Sequence, residues 1–139
     1  MKRRNFLATA AGIIGALLAP APARAEEILA RGKWTKVSYA IRGEWEIVAR
    51  EDGARLIRFD ENFKTRRGPD LKVFLSPDPL AEVEEGSAAS RSFEIGALAA
   101  HRGAQQYEIP ARLNLADYRA ILIHCKSYAH LWGGADLAR

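Results

Sequence analysis

Arg42-Gly43-Glu44-Trp45-Glu46-Ile47-Val48-Ala49-Arg50-Glu51-Asp52-Gly53-Ala54-Arg55-Leu56-Ile57-Arg58-Phe59 decides the fold class. Trp45, Ile47 and Ala49 alternate with Glu44, Glu46 and Arg50, the two-residue period of a strand with one face in a core. Asp52-Gly53 follows, a hairpin-turn pair whose glycine takes positive φ freely. Ile57 and Phe59 carry the pattern into a returning strand. Arg42-Gly43 marks the turn before it, and Val37, Tyr39 and Ile41 alternate with Lys36, Ser38 and Ala40 in an expected earlier strand. On the other side, Leu71, Val73 and Leu75 share one face, with Asp70 and Lys72 on the other. Pro77 to Ser90 carries prolines and acids and reads as a surface excursion with one helical turn. Short strands are expected near Phe93 and Tyr107, the latter ended by Pro110, and one helical turn over Leu115 to Tyr118. Ile121 to Cys125 is nearly all apolar, as suits a strand inside a sheet. The spacing predicts an all-β fold, a single-domain antiparallel β-sandwich or barrel-like structure of seven or eight short strands.

The chain has 139 residues, 48% of them apolar, which fits one globular domain. Its formal charge of +4 comes from the N-terminus, since Lys2, Arg3, Arg4 and Arg24 precede the first acid. The remainder holds 17 basic and 17 acidic residues, so the basic balance gives no support to nucleic-acid binding. Residues 1–25 read as a secretory signal: a charged start, a short apolar core from Phe6 to Leu18, and an Ala23-Arg24-Ala25 cleavage site. Arg3-Arg4-Asn5-Phe6-Leu7 resembles the twin-arginine export motif. The twin-arginine export machinery is therefore an expected partner during secretion, and it carries proteins already folded, often around a cofactor. The core is shorter than a membrane span, and the alternative is an uncleaved anchor helix. The expected product is residues 26–139, periplasmic or secreted, with no transmembrane segment after processing.

Cys125 is the single cysteine, which excludes an internal disulfide framework and a multi-cysteine zinc site. A free thiol is often a small buried hydrophobe, yet in an oxidising compartment an accessible one is open to disulfide exchange. A hairpin turning on Lys126-Ser127 sets Cys125 opposite Tyr128, Ile123 opposite His130 and Ile121 opposite Trp132. Cys125 and His130 are then diagonal neighbours on one face. An imidazole there would favour the thiolate, and the pair could supply two metal ligands; the alternative is a structural histidine at a sheet end. His124 points to the opposite face, and His101 lies in a loop. A blue-copper site lacks its axial methionine, because Met1 leaves with the signal. Arg66-Arg67 are solvated or bind an anionic group. No Ser/His/Asp triad, phosphate loop or paired-carboxylate spacing stands out, and a stand-alone enzyme is not expected.

Three further segments carry a resemblance. Phe63 with Gly68-Pro69-Asp70-Leu71-Lys72-Val73-Phe74-Leu75, then Gly103-Ala104-Gln105-Gln106-Tyr107-Glu108-Ile109-Pro110, then Tyr118 to Cys125 with Trp132-Gly133 and Ala135-Asp136-Leu137, resemble the signatures of the DM-13 domain family over Arg31 to Leu137. The resemblance implies an extracytoplasmic, mostly β module that acts in electron transfer through its cysteine, either as a bare thiol or with a bound group such as haem or a metal ion. Cys125 matches the family cysteine, Gly68, Pro69 and Asp70 its turn, and Gly103, Tyr107 and Pro110 its middle motif. Cofactor contacts are then expected from Cys125, His130 and Tyr128, and metal ligation from Cys125 and His130. His130 stands where an apolar residue is expected, and His124 where an aromatic is common. The expected function is a redox or electron-transfer module with a redox or protein partner. The alternative is a non-catalytic β-sandwich for binding or adhesion with Cys125 in its core.

Overall fold

The computed structural model of the protein describes residues 26–138, so the leader and its cleavage site lie outside the described residues. The strands are β1 (Glu27–Lys33), β2 (Thr35–Lys36), β3 (Ile41–Arg42), β4 (Glu44–Ala49), β5 (Arg55–Phe59), β6 (Lys64–Thr65), β7 (Leu71–Ser76), β8 (Phe93–Ala97), β9 (Gln105–Ile109), β10 (Ala120–Cys125) and β11 (His130–Asp136). One helix, α1 (Glu85–Arg91), and two 3₁₀ turns, Leu80–Glu82 and Leu115–Asp117, connect them. A four-stranded sheet runs β1-β4-β5-β9, a five-stranded sheet β2-β11-β10-β7-β8, and a small ribbon pairs β3 with β6. All the pairings are antiparallel. The fold is a β-sandwich, and the described strands close no barrel.

The alternation in β4 turns Trp45 and Ile47 inward, where they meet Ile57 and Phe59 of β5 and Leu71, Val73 and Leu75 of β7. Ile121, Ile123 and Cys125 of β10 complete this core between the sheets. The outer face of β10 is covered as well. Leu122 packs with Phe74, Leu131 and Ala88 of α1, flanked by Leu80 and Val83. The excursion after Pro77 is therefore a lid of two short helical pieces that seals the back of the five-stranded sheet. This two-sided cover is why β10 reads as a continuous apolar run.

The strand expected over residues 36–41 does not form. The N–H groups of Val37, Ser38 and Tyr39 instead converge on the Trp132 carbonyl at 3.2, 3.0 and 3.2 Å. That bend divides the segment into β2 on the large sheet and β3 on the ribbon.

Val73 is wholly buried at the centre of β7. Truncation to Ala removes two methyl groups and leaves a cavity, so we expect Val73→Ala to cost about 1–3 kcal/mol in chemical denaturation. A loss within measurement error would mean that this face is not packed as described.

Candidate functional site

Cys125 ends β10 and faces His130, the first residue of β11, directly across the ladder. The expected register, with Tyr128 opposite Cys125 and a turn on Lys126-Ser127, does not form. Neither Lys nor Ser readily takes the positive φ that a two-residue hairpin turn requires. The chain uses four turn residues, Lys126 to Ala129, and Ala129 takes φ 50°. Tyr128 sits at the tip, 71% exposed. A bulge opposite Ile123 and His124 leaves Trp132 as the extra residue of β11, so Ile123 pairs with Gly133 rather than His130.

The turn is held by the residue that precedes β7. Asp70 accepts the Lys126 N–H at its carbonyl (3.0 Å) and the Ser127 N–H at Oδ2 (2.9 Å), while its Oδ1 lies 3.4 Å from Lys72 Nζ. Burial resists ionisation of Asp70, but the Lys72 ammonium and the Ser127 donors together outweigh it and hold its carboxyl below the usual range. Gly68 leaves room for the Trp132 ring: a Cβ there would lie 2.9 Å from Cη2. The Trp132 indole donates to the Arg66 carbonyl at 3.0 Å.

Around His130 the aromatic rings meet edge to face. Its ring lies 5.7 Å from both Tyr39 and Trp132, which are themselves 4.3 Å apart between centroids. The Arg66 guanidinium covers the outer side of Tyr39 at 4.7 Å. His130 Nδ1 meets Glu85 Oε2 of α1 at 3.0 Å. Cys125 itself is 1% exposed.

The sequence model of a family described as electron transfer DM13 matches residues 34–137. The chain belongs to the electron transfer DM13 family. No curated protein and no solved structure matches the chain.

The motifs of this DM13 domain have structural work to do. Gly68 and Asp70, on either side of Pro69, set the hairpin that carries Cys125. In the second motif Gly103 has φ 95°. The Gln105 amide donates to the carbonyls of Ala100 and Gly103 at 3.0 and 3.1 Å. The Tyr107 hydroxyl accepts the Ala99 N–H at 2.8 Å and donates to Gln105 Oε1 at 2.5 Å. Burial pushes the Tyr107 phenol up. Pro110 offers its carbonyl to Arg55 at 2.9 Å. The donor set does not fit a metal or haem at Cys125. The thiol is enclosed by the core, and no group of three His, Cys, Asp or Glu side chains able to hold a metal occurs among the described residues. Tyr39, Glu85 and Arg66 join the site without having been singled out for it. Only the Arg66-Tyr39 stack had a sequence hint, in the unpaired cations beside the Gly-Pro-Asp turn.

His124 lies on the other face of β10, against Phe74 at 5.8 Å, with Lys72 and Leu131 as its ladder partners. It is wholly buried, and neither ring nitrogen has a hydrogen-bond partner. Burial pushes its imidazole below the ordinary 6.5; Glu85 opposes this and His130 adds to it. The unfolded chain therefore binds this proton more readily than the folded one. The contribution to stability is complete above about pH 6.5 and is lost as the pH falls below that towards the depressed folded value. His124→Leu removes the titration and fills the same space. We expect the variant to match or exceed wild type near neutrality and the gap in melting temperature to widen towards about pH 5. His101 is pushed down too, by burial and by Arg67, Arg102 and Lys64, but it is common to both proteins. A gap that is constant with pH would contradict a neutral buried His124.

Proposed function

We propose that this DM13 domain is an extracytoplasmic electron-transfer module in which Cys125 acts as a bare thiol and His130 takes its proton. The pairing of Cys125 with His130 across the ladder carries this reading. Family membership and the twin-arginine-like leader support it, the leader for the compartment. Burial argues for electron movement over thiol exchange, because exchange needs another sulfur to reach Sγ, while an electron does not. In the proposed step an external one-electron acceptor takes one electron from Cys125. The Sγ proton passes to His130 Nε2, since Nδ1 faces Glu85. The products are a sulfur radical, an imidazolium paired with the Glu85 carboxylate, and an acceptor reduced by one electron. Trp132 and Tyr39 lie beside His130 and offer an aromatic route for the electron. The same burial favours a second reading, a binding module in which Cys125 is a small core hydrophobe.

Flash oxidation with photogenerated tris(bipyridine)ruthenium(III) separates the two. In wild type the transient tyrosyl or tryptophanyl absorbance should decay as Cys125 supplies an electron. It should last at least about tenfold longer in Cys125→Ala, with His130→Gln between the two. Equal lifetimes in all three proteins would leave the binding module.

A further inference from the structure

The ribbon at the edge of the sandwich holds a row of cations. Arg42 of β3 lies directly opposite Lys64 of β6. Lys64 in turn forms a bridge with Arg102 of the following loop. The bonds around that bridge run from Thr65 N–H to the His101 carbonyl and from Gly103 N–H to the Phe63 carbonyl, both 2.8 Å. This makes Lys64 and Arg102 a non-hydrogen-bonded pair, the closer of the two antiparallel pair types. Three like charges therefore stand side by side on one face, all exposed, and none is in a salt bridge among the described residues.

Directly opposed like charges destabilise a sheet. Exposed positions on so short a ribbon impose no need for cations, and the rest of the described domain pairs many of its charges. The row lines a cleft of about 590 Å³ together with Lys33 and the acids Glu44, Asp60 and Glu61. The Asp60 carboxylate is already engaged by the Asn62 N–H at 3.1 Å. A groove of about 310 Å³ continues from Arg42 and Lys64 to Tyr39 and Arg66. Burial first, and then Arg67, Arg102 and Lys64, push the His101 imidazole down, so these cations act on the same neighbourhood.

We propose that the Arg42-Lys64-Arg102 row is a docking surface for a protein partner that presents a strip of carboxylates. The spacing suits it. Cross-strand neighbours stand about 4.5–5.5 Å apart at Cβ, and acids three or four residues apart on a helix about 5–6 Å. The acids that line the cleft beside the cations give the surface a signed pattern, which orients a protein face but serves no purpose against a fluid anionic membrane. The surface goes beyond the redox reading and does not depend on it, although a partner seated there would lie beside Tyr39.

The test uses the mature chain carrying Cys125→Ser, so that failure of the thiol chemistry has no bearing on it. The probe is a helical peptide of repeated Glu-Ala-Ala-Ala units, titrated by calorimetry at low and moderate salt. Binding should weaken at least about tenfold in the triple variant Arg42→Gln, Lys64→Gln, Arg102→Gln, and its salt dependence should flatten. A control with Lys36→Gln, Arg112→Gln and Arg119→Gln removes the same charge elsewhere, at exposed cations in no salt bridge among the described residues, and should bind as the parent does. The row variant should melt no lower than the parent, because repulsion has been relieved. Equal losses in the two triple variants, no peptide binding at all, or binding to phosphatidylglycerol vesicles without binding to the peptide would each overturn the proposal.

Discussion

Asp70 holds the turn that places Cys125. Its carbonyl and carboxylate both accept N–H groups of the 126–129 turn, two donors that no strand ladder serves. Without them the turn would depend on the Ala129 to Lys126 hydrogen bond of 3.3 Å and on a non-glycine residue at positive φ. The register of β11 follows from that turn, and with it the opposition of Cys125 and His130. The bulge at Trp132 then frees its carbonyl to gather the 37–39 bend, and the bend delivers Tyr39 to the stack. Gly68 belongs to the same device, because the indole needs the space that its missing side chain leaves.

The five-stranded sheet is sandwiched on both sides, by the four-stranded sheet and by the helical lid. This arrangement makes β10 the most enclosed strand and seals Cys125 and His124 on opposite faces of it. The consequences differ. A thiol tolerates an apolar setting with little loss, whereas an imidazole with no partner keeps its neutral form at the cost of desolvation. Glu85 touches both faces of the problem: it lies on the lid and its carboxylate meets His130.

Much of the sandwich is legible in the sequence because burial on one face imposes a period of two. The 44–59 hairpin, β7 and the apolar run of β10 follow that rule directly. The bend at 37–39 does not, because its cause is a carbonyl 93 to 95 residues further along the chain. The hairpin register was only half legible. That Cys125 and His130 share a face follows from spacing, but the four-residue turn and the bulge are set by Asp70 and by the packing of Trp132. The Glu85 contact, 45 residues from His130, has no local signal at all.

The reactivity of Cys125 towards a disulfide reagent such as dithiobis(nitrobenzoate) in the native state tests the anchoring by Asp70 most directly. Wild type should react slowly, and Asp70→Ala should react at least about tenfold faster through opening of the hairpin while the sandwich stays folded. Asp70→Asn, which keeps an acceptor for Ser127, should remain close to wild type. A rate in Asp70→Ala equal to that of wild type, with both domains folded, would contradict the account.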